Sequence, residues 1–250
     1  TYFAEHTRAV AAITQPQFAT MVAAAAPGLK WIAVTEDNSG EPATDEQAAH
    51  GFASFDSLLG DASRWVPRTP EPMLPFGIMF TSGTTSRPKA VVHTHANAIW
   101  ASRTGPRNID LTGDDSYIIF LPFFHVNAQS WSFWTTLGAG GTVVLQPKFS
   151  ASRFWEVVMK HGVTHISLIP FVFKAVAGQP VKVGVFGLIM PELEKMMGCR
   201  VMAAWGMTET VIHATRNDWL QTYPLGSMGK PTPGYEFAIV DPDTGKPCRE

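Results

Sequence analysis

Between Gln17 and Ala26 the apolar residues Phe18, Met21, Val22 and Ala25 recur at i, i+3, i+4 and i+7, the period of a helix with one apolar stripe. Pro27 and Gly28 end it. Trp31 to Val34 is an apolar run of strand length and predicts a short buried strand, followed by a polar loop through Asp45. Phe52, Phe55, Leu58 and Leu59 predict another helix. Four prolines between Pro67 and Pro75 remove backbone donors and predict a stiff lead-in within one domain.

From Tyr117 onward strand-like and helix-like patterns alternate. Apolar runs at Tyr117 to Leu121, Thr142 to Leu145, His165 to Ile169, Val181 to Phe186 and Val201 to Trp205 read as strands. Between them, helices are predicted over Ala128 to Leu137, Ser152 to His161, Phe171 to Ala177 and Pro191 to Gly198. The second of these carries Phe154, Val158 and His161 on one face. Thr94 with Asn97 marks a further helix start. Strand runs this apolar, spaced by helices, argue an α/β fold whose parallel sheet is covered on both faces.

Ligands of such sheets gather beyond the carboxyl ends of the strands. Unusual polar residues follow apolar runs in three places: Thr81 to Ser86, Pro122 to Asn127 and Trp205 to Thr210. All three are predicted at one edge of one sheet.

Composition narrows the options for that edge. The chain has 250 residues, is 45% hydrophobic and carries a net charge of -2 with no basic run, which disfavours nucleic acid and anionic membrane surfaces as main partners. No run reaches the roughly 18 to 20 apolar residues of a membrane span. Cys199 and Cys248 stand far apart with no C-x-x-C spacing, which points to a reducing, cytoplasmic setting.

The first of the three places carries the most chemistry. Phe80 to His95 reads FTSGTTSRPKAVVHTH: six hydroxyl-bearing or glycine residues, Thr81, Ser82, Gly83, Thr84, Thr85 and Ser86, then Arg87 and Lys89. Hydroxyls, backbone N–H groups and cations on one turn suit a polyphosphate, whose oxygens only accept. A solvated Ser/Thr/Gly surface loop is the other reading. Pro88 and Ala90 flank Lys89, so the Walker pattern is not met.

Glu209 is the carboxylate to hold Mg²⁺, which binds through one or two carboxylates plus phosphate oxygens; the other reading is a helix-start carboxylate. Thr208 beside it has a hydroxyl to offer a phosphate. His125, between Phe124 and Val126, reads as a pocket wall or gate, or as a packed histidine. His93 and His95, placed on one strand face by alternation, lack a third metal ligand nearby and read as structural. Trp131 and Trp134 read as core or pocket lining.

TSGTTSRPK, LPFFHVNAQ and WGMTET, in that order and spacing, resemble the motifs of the adenylate-forming enzymes, the AMP-dependent acyl-CoA synthetases and ligases. GSMGKPTPG, Gly226 to Gly234, matches the glycine-proline segment that this superfamily carries further on. The resemblance implies a large N-terminal nucleotide- and acyl-binding domain that residues 1–250 leave incomplete, without the small mobile C-terminal domain. It implies activation of a carboxylic acid with ATP to acyl-AMP and pyrophosphate, then transfer to coenzyme A. Thr81 to Thr85 and Lys89 would handle the β and γ phosphates, Thr208 the α-phosphate, Glu209 the Mg²⁺, and His125 the acyl side. Trp205, Gly206 and Met207 would line the nucleotide, with the Trp205 ring on adenine.

Departures from the pattern are Ser86 and Ala90 for glycines, Trp205 for tyrosine, and Gly187 to Pro191, where an adenine-binding segment is expected. Gly178 to Val185 looks short. Lys148 to Val158, the TTSRPK form and the Gly187 to Pro191 segment look most like the carnitine and crotonobetaine CoA ligase branch, and Asn127 and Gln129 would suit a small or polar acyl group better than a long fatty chain. A homodimer is compatible with this reading. Two alternatives stay open: a non-catalytic nucleotide-binding module on the same fold, and adenylation with transfer to a carrier-protein thiol.

Overall fold

The computed structural model describes residues 2–35, 37–38, 41–42, 51–81, 87–178 and 180–248. The chain divides into two compact units, Thr1–Pro70 and Glu71–Glu250. The division falls in the proline-rich stretch that the sequence pattern places inside one domain; prolines bar the backbone pairing that would carry contacts across it.

In the first unit, helix α1 (Tyr2–Thr7) leads to β1 (Ala11–Thr14), and α2 (Pro16–Ala25) crosses over to β2 (Trp31–Val34), parallel to β1. The predicted stripe helix is α2, with Pro16 in its first turn, where the missing N–H costs nothing. β2 forms as predicted but is less buried than predicted: Ala33 is fully enclosed, while Trp31 is 44% exposed. A two-residue pair, β3 (Asp37–Asn38) and β4 (Glu41–Pro42), precedes β5 (Ala53–Ser54), which joins β2. The helix predicted around Phe55 is a single 3₁₀ turn, Phe55–Leu58, held by Ser54 accepting from the Asp56 N–H. Leu58 and Leu59 are exposed, so no apolar face holds a longer helix.

The second unit opens with a hairpin, β6 (Pro75–Phe80) against β7 (Ala90–Thr94), antiparallel. Helix α3 (His95–Asn108) follows at once. Its start is the Thr94/Asn97 capping box that the sequence predicts. His95 is therefore the first helical residue and exposed, while His93 on β7 is 2% exposed; the two do not share a strand face.

Next come β8 (Ser116–Ile119), β9 (Thr142–Leu145), β10 (His165–Ser167), β11 (Val183–Phe186), β12 (Arg200–Trp205), β13 (Thr215–Arg216) and β14 (Lys230–Pro231). They form a seven-stranded sheet in the order β14-β13-β12-β11-β10-β8-β9. From β12 to β9 every pair is parallel; β13 and β14 add an antiparallel edge.

Strand alternation covers both faces, as predicted. Ile118, Val144 and Ile166 face Phe154, Val158, Leu193 and Met197, while Tyr117, Ile119, Val185 and Met202 face Ile109, Leu111 and Ala128. The first group receives helices α5 (Phe154–His161) and α7 (Pro191–Met197), ended by left-handed Gly162 and Gly198. Burying Phe154 and Val158 contributes about 1.5–3 kcal/mol each. His161 is exposed rather than on that buried face. The brief Phe171 to Ala177 helix is a 3₁₀ turn continued as α6 (Phe173–Val176).

The helix predicted after His125 is a π-helix, Asn127–Trp134, continued as α4 (Thr135–Ala139). Its cause lies in hydroxyls: Ser132 Oγ donates to the Asn127 carbonyl (2.9 Å) and Thr135 Oγ1 to the Ser130 carbonyl (3.1 Å), each five residues back. These bonds fit the wider turn.

Candidate active site

The predicted edge is real for two of its three segments. Pro122–Asn127 follows β8 and Trp205–Thr210 ends β12, both at carboxyl ends of the parallel sheet. The Thr81 loop instead belongs to the separate β6–β7 hairpin, because its strands pair with each other and leave no ladder for the larger sheet. Ser82, Gly83, Thr84, Thr85 and Ser86 lie outside the described residues. The ends of the loop are described. The Thr81 N–H donates to the Lys89 carbonyl (3.0 Å), closing the hairpin mouth, and Arg87 and Lys89 are exposed there.

What joins this hairpin to the sheet edge is His93. Its Nε2 lies 2.8 Å from the Thr208 carbonyl oxygen. A carbonyl only accepts, so Nε2 carries the proton, and Nδ1 is left as a buried acceptor without a partner. The His93 ring also meets Trp134 edge-on, centroids 6.3 Å apart. The predicted structural role thus stands and becomes specific, since His93 ties the strand after the loop to the Thr208–Glu209 pair.

The Trp205–Val211 turn is fastened from several other directions. Thr210 Oγ1 accepts from the Met207 N–H (2.9 Å) and donates to the Met207 carbonyl. The Tyr235 hydroxyl donates to the Thr210 carbonyl, and Ser130 Oγ from the π-helix donates to the Val211 carbonyl. Val211, at φ 68° and ψ −52°, is a β-branched residue at the centre of a γ-turn closed by the Ile212 N–H donating to the Thr210 carbonyl (2.7 Å), a strained conformation that these bonds hold. Gly206 allows the tight fold: a Cβ there would sit 2.8 Å from the Ile212 carbonyl and from the Trp131 ring. Trp205 is half-buried with the Phe237 ring edge-on at 6.1 Å, Thr208 half-buried, and Met207 and Glu209 exposed. Beneath the turn lies His213, fully buried against Trp131 with neither ring nitrogen partnered; burial pushes its imidazole down to about 3.

His125 stands on looser ground. The side chains of Phe124 and His125 are exposed, and desolvation on the protein side lowers the imidazole from its usual value. Its Nδ1 accepts the Asn127 N–H (3.1 Å), so the neutral ring carries its proton on Nε2. Asn127 is fixed in turn, its Oδ1 accepting from Ser167 Oγ (2.7 Å). The fully buried Tyr117 hydroxyl lies 2.9 Å from Ser167 and donates, since the Ser167 proton is already committed. Asn127 Oδ1 is therefore engaged in the fold rather than open to an acyl group. Trp134 is core, and Trp131 is half-buried with its Nε1 unpartnered.

Gly187–Pro191, where the pattern departs, is paired through Ile189 with Ser227 (2.8 Å) and Gly226 (3.0 Å), bringing it against the Gly226–Gly234 segment. No group of three or more metal-binding side chains exists among the described residues.

The AMP-binding enzyme model matches residues 1–250. The chain belongs to this family. Family members of known structure share the fold. An anthranilate CoA ligase in complex with anthranoyl-AMP superposes with a TM-score of 0.78 over 99% of this chain and 50% of that one, at 19% identity. The AMP complex of O-succinylbenzoate coenzyme A synthetase from Bacillus subtilis gives 0.70 over 99% and 74%, at 21% identity. In sequence, a crotonobetaine/carnitine–CoA ligase of Salmonella heidelberg (strain SL476) is 37% identical over 184 residues, 68% of this chain and 35% of the relative. The chain thus spans about a third of the length of the curated relatives it matches.

The sequence motifs marked the segments but not the fasteners. His93, Ser130, Tyr235 and Ser167 act through bonds to residues 25 to 115 positions away. Periodicity does not report such partners. His213 had a signal, a lone histidine inside the run Val211–Ala214.

Proposed function

We propose that the protein activates a small carboxylic acid with ATP, forming acyl-AMP and pyrophosphate, and passes the acyl group to coenzyme A. Residues 1–250 serve as part of the nucleotide- and acyl-binding domain. The observation that carries this reading is the His93–Thr208 bond, which holds the hydroxyl-rich hairpin beside the Thr-Glu turn. In this reading Thr81 to Ser86 and Lys89 take the β and γ phosphates and Thr208 takes the α-phosphate. Bound to Glu209, Mg²⁺ supplies charge neutralisation for the departing pyrophosphate.

The acid attacks the α-phosphorus through its carboxylate oxygen, and the bond to the bridging oxygen breaks to release pyrophosphate. Lys89 stabilises the leaving group; Thr208 donates a hydrogen bond to the α-phosphate oxygens as charge builds. Trp205 offers its ring to adenine, and Gly206 and Met207 line the same nucleotide. His125, neutral with its proton on Nε2, stands at the acyl side as a donor or gate. The similarity to a crotonobetaine/carnitine–CoA ligase supports a small polar acid, with Gln129 as a candidate contact. Two free cysteines, Cys199 buried and Cys248 exposed, support a reducing, cytoplasmic setting.

Pyrophosphate exchange by the full-length protein, run over a panel of acids with and without Mg²⁺, tests this. Exchange that depends on one class of small acid, on Mg²⁺ and on Lys89 is expected; absence of exchange with every acid would refute the reading.

A further inference from the structure

A basic cavity of about 990 Å³ opens on the far part of α3. Trp100, Arg103 and Arg107, spaced i, i+3 and i+7, present one helix face to it, and Arg216 of β13 reaches it from the sheet edge. Its lining contains three guanidinium groups and no carboxylate. Among the described residues the ion pairs are Lys182–Asp115 and Arg200–Asp110, so none of the three arginines is neutralised.

The cavity also has a fixed aromatic wall. Trp100 is 40% exposed and packs on Gly234, at φ 95°, where a Cβ would lie 2.6 Å from the ring. Its Nε1 donates to the Tyr235 hydroxyl (3.4 Å).

We propose that this cavity binds a phosphorylated ligand, its phosphoryl oxygens held by Arg103, Arg107 and Arg216. Guanidinium forks match phosphate oxygens in geometry as well as charge. Arg107 lies twelve residues beyond His95, about 18 Å along the helix axis from the start of α3. The ligand is either a free inorganic phosphate or a phosphate carried by a ring that lies on Trp100.

Arginine footprinting with phenylglyoxal on the full-length protein, read peptide by peptide by mass spectrometry, tests the proposal with pyrophosphate and 5′-AMP as probes. At ten times the Kd, modification of Arg103, Arg107 and Arg216 should slow about tenfold, with chloride at equal ionic strength giving no protection. Protection by both probes identifies the phosphoryl group as sufficient; protection by 5′-AMP alone assigns part of the binding to Trp100. Arg216→Gln should weaken protection of the other two arginines, whereas Lys89→Ala should leave it intact. Unprotected arginines at 10 mM of either probe would overturn the proposal, and so would protection that disappears in Lys89→Ala. Because the readout is local and independent of turnover, it distinguishes this failure from failure of the adenylation reading.

Discussion

The Trp205–Val211 turn and the Pro122–Asn127 segment both follow parallel strands, yet they are held in opposite ways. Three carbonyls of the first accept from side chains of distant elements: Thr208 from His93, Thr210 from Tyr235 and Val211 from Ser130. The second leaves Phe124 and His125 in solvent and becomes fixed only at Asn127, through Ser167 and Tyr117. Phosphoryl transfer depends on groups placed before the charge develops, whereas an acyl side that admits and releases substrate gains from a movable wall.

Acid should break the tight side first. His213 is neutral in the folded protein, with a value near 3 against about 6.5 when unfolded, so the stability it permits is intact above pH 6.5 and is lost as pH falls toward 3. His165, also lowered by burial, acts in the same direction. The loss from His213 is on the order of 4 kcal/mol across that window. Urea midpoints measured from pH 7 to 4 should fall steadily, and His213→Leu should flatten the curve; identical curves for the two proteins would remove His213 as the cause.

Glu209→Ala separates placement from chemistry. Its side chain is exposed, so the melting temperature should hold while pyrophosphate exchange drops by roughly a hundredfold, the scale of one lost electrostatic contact in a transition state. Excess Mg²⁺ should recover part of the rate.

His93→Ala cuts the tether. It takes the imidazole donor from the Thr208 carbonyl and opens a cavity next to Trp134, a cost of about 2 kcal/mol in urea unfolding. If the turn is placed by this bond, kcat for exchange falls as well. A variant that loses stability but keeps kcat would show that the other fasteners suffice.

The smallest effect belongs to the looser side. Ser167→Ala unlinks Tyr117 from Asn127 and should cost about 1 kcal/mol, with KM for the acid rising more than kcat falls. Ser167→Thr, which keeps the hydroxyl, should restore most of the difference. An unchanged KM would show that His125 does not depend on Asn127.

Much of this arrangement was legible in the chain. Apolar runs placed the strands from β8 to β12, and glycines 162 and 198 closed the helices as expected. Hydroxyls, histidine and glutamate after apolar runs marked the three segments. The separate hairpin was not legible, because a strand run does not say which partner it pairs with. Nor was the π-helix, since Ser132 and Thr135 look like ordinary helix residues until their hydroxyls turn back five positions. The strain at Val211 was equally hidden: nothing in a valine announces a positive φ.

The His93–Thr208 bond spans 115 residues of chain. Closing a loop of that length costs about 4 kcal/mol of entropy before any contact offsets it. The hairpin can fold locally, and the sheet can build strand by strand, but their junction forms only after β12 is in place. A nascent chain on the ribosome therefore carries the hydroxyl loop for a long interval before the Thr208 turn meets its hairpin.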